Sequence, residues 1–297
     1  MKKPIFTGSS VAIITPMHED GSVNYGELKN LLEYQIASGT DSVTICGTTG
    51  ESPALTDEEH REAIEFTVKT VAGRVPVIAG TGSNDTAYAL ALSQHACEAG
   101  VDGLLLVTPY YNKTTQRGLV RHYEYIADRV SKPMIVYNVP GRTGVCCAAE
   151  TYHELSKHPM INGVKEASGN FTLVAHTAAL CGDEFNIWSG NDDQTVPILS
   201  LGGKGVISVF ANVMPREMHE LTAAYFSGNT KKAAELQLKY FDLMDTLFVE
   251  VNPIPVKTAM NLLGYAAGPL RMPLCEMAPA NVEKLKASLQ NAGLTLK

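Results

Sequence analysis

What this sequence lacks narrows the field before any motif is read. Its six cysteines, at 46, 97, 146, 147, 181 and 275, include no C-x-x-C pair, and the neighbours Cys146 and Cys147 cannot readily bridge each other. That pattern argues against a disulfide frame and fits reduced thiols in a cytoplasmic protein. No window approaches 18 uninterrupted apolar residues, so no membrane span is expected. The opening MKKPIFTGSS has two lysines but no apolar core of signal-peptide length, so no leader is expected. Basic charge is short as well: 24 Lys and Arg against 31 Asp and Glu leave a net charge of −7. Nucleic acid and anionic membranes both need a basic surface, so neither is an expected partner. A local cationic pocket for a small substrate survives that average. No G-x-G-x-x-G follows the first apolar run, no low-complexity linker divides the chain, and no sharp internal repeat is visible.

An apolar fraction of 45% with 19% charged residues, over 297 positions, fits a soluble globular protein of one large α/β barrel or two domains. Near-continuous apolar runs predict strands at 10–16, 42–47, 75–82, 103–109, 133–140, 161–167, 185–191 and 205–210. Runs without polar alternation belong to parallel strands covered on both faces. Between them lie helical patterns. NYGELKNLLEYQIASG spaces Leu28, Leu31, Leu32 and Ile36 for one face and stops at Gly39. Thr56 with Glu59 three residues later is a capping-box pattern, and that segment ends at Gly73. DTAYALALSQHACEAG repeats the design up to Gly100.

Eight βα units completed by about residue 227 predict a (β/α)8 TIM barrel over 1–227. Residues 228–297 carry no strand pattern and read as a C-terminal helical extension, broken by NPIP and GPLRMP and packed on the barrel as one structural unit. The glycines of LGGKG are expected to permit a tight turn into the eighth strand rather than to bind phosphate.

A strand that ends on an amine, INGVKEASG, is the feature that asks for a function. Lysine is among the residues least often buried without a partner, and the plain reading is a solvated strand end. The barrel changes that reading, because reactive groups in this fold gather at the C-terminal strand ends. There GTTGES supplies Thr48 and Thr49, PYYN supplies Tyr110 and Tyr111, YNVPGRT supplies Tyr137 and Arg142, and Lys165 ends strand six. A lysine in a dry barrel mouth loses its ammonium proton more easily and can attack a carbonyl to form a Schiff base, an electron sink. The Tyr137 phenol can move the protons this needs, with Thr48 and Tyr111 extending the relay. N–H groups of the Gly47–Gly50 turn could hold a keto acid's carboxylate. Arg142 could clamp a second carboxylate through paired hydrogen bonds.

The motifs GTTGES, VTPYYNK, YNVPGRT, GVKEASGN and SGNDD followed by LGGKGVISV, in that order, resemble the pyruvate-dependent class I aldolase superfamily, and within it the dihydrodipicolinate synthase family. The resemblance spans essentially the whole chain. It implies that Lys165 forms an imine with pyruvate, that Tyr137 donates and accepts its protons, and that Thr48 and Tyr111 complete the relay, Tyr111 reaching in from a neighbouring subunit. It further implies that Thr49 binds the pyruvate carboxylate, with Ile207 lining that pocket through its backbone. Arg142 would hold L-aspartate 4-semialdehyde, and Gly190 would bound the site. The implied product is 4-hydroxy-tetrahydrodipicolinate, on the diaminopimelate route to lysine, made by a homotetramer that needs no cofactor.

Rivals within the superfamily are N-acetylneuraminate lyase and the 2-keto-3-deoxy sugar-acid aldolases. Thr48 and Arg142 favour the synthase, because a two-pronged arginine selects a carboxylated partner. A metal-dependent enzyme would need ligands on strand ends, and none of the eight histidines stands on one. A catalytically inactive ligand-binding barrel would be expected to lose Lys165 or Tyr137. Asp192 and Asp193 resemble a metal pair but are expected to be loop and cap residues, Glu166 a structural partner facing away from the site, and Trp188 a side chain packed between barrel and helix. The resemblance also implies a possible effector site for lysine at Ser52, His60, Asn84 and Tyr110. Asp57 and Tyr88 stand where inhibited members carry a His and a Glu, so weak or absent inhibition is expected.

Overall fold

A computed structural model describes residues 2–297 of the chain. Eight parallel strands close into a barrel in sequence order: β1 (Gly8–Ala12), β2 (Ser42–Ile45), β3 (Val77–Gly80), β4 (Gly103–Val107), β5 (Met134–Asn138), β6 (Ile161–Glu166), β7 (Asn186–Ser189) and β8 (Gly205–Ser208). The (β/α)8 expectation therefore holds in number, order and direction. Every strand is shorter than its apolar run, because the run continues into the loop beyond the last ladder bond. The first run, 10–16, is also displaced: β1 starts two residues earlier and stops at Ala12.

Alternation along these short strands makes two cores. One set of side chains, including Val11, Val43, Leu104, Leu106, Val136 and Val164, packs outward against the helices. The other points into the barrel: Phe6, Ala12, Ile78, Leu105, Ile135, Tyr137, Trp188 and Ile207 form a cluster of their own. Trp188 corrects the expectation that it lies between barrel and helix. It is fully buried inside the cylinder, stacked on Phe6 at 5.3 Å, and its indole N–H donates to the Phe6 carbonyl at 3.2 Å. Its register explains why. Trp188 pairs with Lys165, which pairs with Tyr137, so all three share the inward face.

Close approach of strands at the base of the barrel requires glycine. A Cβ on Gly205, whose φ is +152°, would lie 1.9 Å from the Gly8 carbonyl oxygen of the neighbouring strand, so the LGGKG glycines serve the turn and the closure. Thr56 and Glu59 make the expected reciprocal capping box on helix Asp57–Val71. Asn24, Asp85, Thr115, Asn170 and Asn229 cap other helices with their side chains, each contributing about 1 kcal/mol.

Beyond helix Pro215–Phe226 the chain is helical, as expected, with a break at Tyr240 that divides one predicted segment into Thr230–Lys239 and Phe241–Thr246. Helices Ile254–Leu262 and Pro279–Asn291 follow. This tail reaches the loop after β2 through Asn252, Lys257 and Arg271. Asn252 bonds Thr49 at 3.0 Å, Lys257 pairs with Glu51 at 2.6 Å, and the Arg271 N–H donates to Glu51 at 2.9 Å. Arg271 also grips Glu59 through both guanidinium arms.

Candidate active site

The mouth of the barrel is built from neighbouring strand ends. Lys165, one residue from the end of β6, and Tyr137, one residue from the end of β5, are register partners facing inward. The Lys165 Nζ lies 4.4 Å from the centre of the Tyr137 ring, over its face, and only 6% of the residue is exposed. Burial is the main reason its pKa falls to about 8, and the Arg142 charge adds to the drop while Asp192 opposes it. Among the described residues the amine has no hydrogen-bond partner, so nothing ties up its lone pair once the ammonium proton is lost.

Burial raises the Tyr137 phenol above its usual range, while the Arg142 charge and a hydrogen bond with Thr48 pull the other way. Amine and phenol are not bonded to each other.

Gly190 follows β7 and donates its N–H to the Glu166 carbonyl at 2.8 Å. A Cβ there would press on the Ala167 Cβ at 2.7 Å and on the Lys165 Cε at 3.2 Å, so only glycine leaves the lysine room. Ile207 on β8 is fully buried in the same interior cluster. Thr49 is 3% exposed and its hydroxyl oxygen accepts from the Asn252 amide. In the Gly47–Gly50 turn the N–H of Gly50 is spent on the Gly47 carbonyl, and just past it that of Glu51 on the Thr48 carbonyl. Arg142, on the one-turn helix Pro140–Thr143, donates to the Asn252 carbonyl at 3.0 Å.

Tyr111 stands apart. At 92% exposure it touches almost nothing of its own chain, and its backbone is left-handed, with a φ of +68°. Cys46, Glu51 and Lys113 also have left-handed backbones, and all three lie, like Tyr111, in loops after strand ends at this mouth. Such conformations cost about 1–2 kcal/mol each for residues other than glycine and collect at functional rims.

Glu166, adjacent to the lysine, faces outward as expected. Its buried carboxylate accepts from Asn138 at 3.0 and 3.2 Å, from the Tyr152 hydroxyl at 2.9 Å and from the Ser168 N–H at 2.8 Å. This network ties β5 to β6 directly behind the Tyr137–Lys165 pair. Asp192 is more than a loop cap. It is buried, takes the N–H groups of Val209 and Phe210 on one oxygen, and has its pKa raised by burial to about 6. Among the described residues no group of three or more His, Cys, Asp or Glu side chains is placed to hold a metal ion.

The effector candidates also come together. Ser52, His60 and Tyr110 line a cleft of about 370 Å³ that Thr48 and Arg142 share, and Asn84 donates to the Tyr110 carbonyl at 3.1 Å. Burial lowers the His60 pKa, and its ring nitrogen bonds the Gly80 carbonyl at 2.8 Å.

Comparison with known proteins settles the lineage. The profile of the Dihydrodipicolinate synthetase family matches residues 5–292. The chain belongs to that family. A 4-hydroxy-tetrahydrodipicolinate synthase from Thermoanaerobacter sp. (strain X514) is 56% identical over 292 residues, 98% of each chain. Among solved structures, the dihydrodipicolinate synthase of Aquifex aeolicus is 48% identical with a TM-score of 0.96, covering 98% of this chain and 100% of its own. A family member from Cyanidioschyzon merolae, solved with lysine bound, is 38% identical with a TM-score of 0.96, over 99% and 100% of the two chains.

Sequence reasoning did not find Asn252 or Lys257. Both stand at or just past NPIP, which reads as a helix breaker, and their roles depend on contacts with residues some 200 positions away. A lysine four residues into an apolar helical segment, IPVKTAM, was the only local signal for a buried partner.

Proposed function

We propose that this chain condenses pyruvate with L-aspartate 4-semialdehyde to 4-hydroxy-tetrahydrodipicolinate, through an imine on Lys165. The observation that carries the residue assignment is a buried, hydrogen-bond-free amine with a pKa near 8, face to face with a buried tyrosine. Relatives at about half identity over the full length carry the same activity in their names. Working as a homo-oligomer, a homotetramer in the family's usual form, suits the exposed Tyr111, which would complete a neighbour's relay. Six free cysteines suit a cytoplasmic location, and no helix among the described residues is long and apolar enough to cross a membrane.

In the reaction, the free Lys165 amine attacks C2 of pyruvate. The resulting carbinolamine hydroxyl takes a proton from Tyr137 and leaves as water, giving the iminium. The Tyr137 phenolate then takes a methyl proton, giving an enamine whose carbon attacks the aldehyde of the second substrate. The new alkoxide is protonated through Tyr137, with Thr48 passing protons onward. The substrate's own amine then attacks C2, closes the ring and releases Lys165. Thr49 would hold the pyruvate carboxylate beside Ile207 and Gly190, and Arg142 that of the semialdehyde. The sugar-acid aldolase reading has no comparable use for Arg142.

Trapping with borohydride tests the assignment. Pyruvate plus borohydride should label Lys165, as mapped by mass spectrometry, and product should form with the semialdehyde but not with N-acetylmannosamine. Only the free amine attacks, and with a pKa near 8 about a tenth of molecules are reactive at pH 7. The trapping rate should therefore rise about tenfold from pH 7 to pH 9 and then level off. A flat profile, or a label elsewhere, would remove Lys165 from its role.

The cleft also makes a statement about feedback. Asp57 is held by Arg61 at 2.7 Å, and among the described residues no glutamate lines the cleft to receive a lysine ammonium. Lysine is expected to inhibit weakly or not at all in a steady-state assay. Strong inhibition at sub-millimolar lysine would contradict this.

A further inference from the structure

We propose that Asn252, contributed by the C-terminal extension, is a positioning residue that ties the two substrate-carboxylate sites together. The inference rests on the roles given above to Thr49 and Arg142, and it concerns a residue that touches both without lying between them in sequence. Its side-chain amide donates to the Thr49 hydroxyl oxygen at 3.0 Å, and its backbone carbonyl accepts from the Arg142 guanidinium at 3.0 Å.

The direction of the first bond matters. A threonine hydroxyl has one proton to give. With a lone pair engaged by the Asn252 amide, that proton stays free to donate to an incoming carboxylate. The second bond occupies one arm of the guanidinium and leaves the others for a carboxylate, while reducing the rotamer freedom of an otherwise exposed side chain.

Asn252 itself is 5% exposed, and its side-chain oxygen is buried with no hydrogen-bond partner among the described residues. A buried acceptor left unsatisfied is unfavourable. Its orientation is thus set by what the NH2 group does for Thr49. The residue is also held firmly from both sides. Helix Ile254–Leu262 begins two residues later and carries Lys257, whose ion pair with Glu51 is 1% and 0% exposed. Glu51 is two residues from Thr49, so one ion pair anchors both the loop and the helix that follows Asn252.

Steady-state kinetics of Asn252→Ala and the near-isosteric Asn252→Asp test the coupling, with Thr49→Val and Arg142→Ala as references. Asn252→Ala removes the side-chain amide but keeps the backbone carbonyl that holds Arg142, so it should raise the KM for pyruvate about tenfold and leave that for the semialdehyde within about twofold, with kcat changed less than about threefold. In a Thr49→Val background it should add nothing to the pyruvate KM. Asn252→Asp should be at least as harmful for pyruvate, because a carboxylate takes the Thr49 proton and sets a negative charge beside the keto acid. A role in folding alone would lower the melting temperature and leave both KM values in place, and that result overturns the proposal. So does a semialdehyde KM raised as much as that for pyruvate, or an Asn252→Asp enzyme that behaves like wild type. If instead Thr49→Val spares pyruvate and Arg142→Ala spares the semialdehyde, the site assignment itself is wrong, and the coupling falls with it.

Discussion

Lys165→Met is expected to lower kcat by about 10⁴-fold or more and to abolish the pyruvate adduct, while making the folded chain more stable near neutral pH. The two effects share one cause. Methionine fills similar space but offers no nucleophile, so the covalent route closes. Meanwhile the lysine is an expense to the fold. Its pKa is about 8 in the folded chain against 10.5 for an ordinary lysine, with burial the leading cause.

The sign follows from proton binding. Between about pH 8 and 10.5 the unfolded chain holds a proton that the folded chain has lost, so stability rises with pH through that window and is lowest below it. At pH 7 the penalty is fully present, about 3 kcal/mol as an upper figure. Chemical denaturation of the variant at pH 7 and at pH 10 should show a gain that shrinks at the higher pH. An inactive variant that is also less stable would signal misfolding and would say nothing of the imine.

Lys257→Met should act in the opposite sense, destabilising the fold by about 3–5 kcal/mol. The Lys257–Glu51 pair is 2.6 Å long and almost wholly out of water. Removing the cation strands a carboxylate on a residue whose backbone is already left-handed, with φ +53°. One N–H from Arg271 remains to it, which is poor compensation for a buried charge. Removing both charges differs in kind, since a buried pair replaced by neutral groups of similar size is often tolerated. The double variant Glu51→Gln/Lys257→Met should recover more than half of the loss in urea denaturation at matched protein concentration. If the single variant costs less than about 1 kcal/mol, the pair is more hydrated than its burial implies.

How much of this was legible in the residues depends on whether the cause was local. Eight apolar runs and glycine-stopped helices gave the barrel, because a strand covered on both faces must be apolar throughout. The same logic overestimated strand ends, since apolar loop residues such as Ile13 and Ile14 are fully buried without belonging to the ladder. Trp188 was misplaced for want of a parity. Once Lys165 is set inward, its ladder neighbours Tyr137 and Trp188 must be inward too. Lys165, Tyr137, Thr48, Thr49 and Arg142 could be named because strand ends in this fold converge. Asp192 was underrated because its burial comes from the turn after β8, whose N–H groups it receives. The tail's contribution was invisible. Nothing in the spacing of NPIP specifies a threonine in the loop after β2 as the partner of its asparagine.

The tail's grip on that loop also bears on modularity. A chimaera that took its strands and loops from this chain and residues 228–297 from a distant relative would keep every catalytic side chain, yet lose the mates of Thr49, Glu51 and Arg142 unless the donor supplied them in register. Loop and tail must therefore drift as a pair over evolutionary time, and a laboratory graft has to carry both across together.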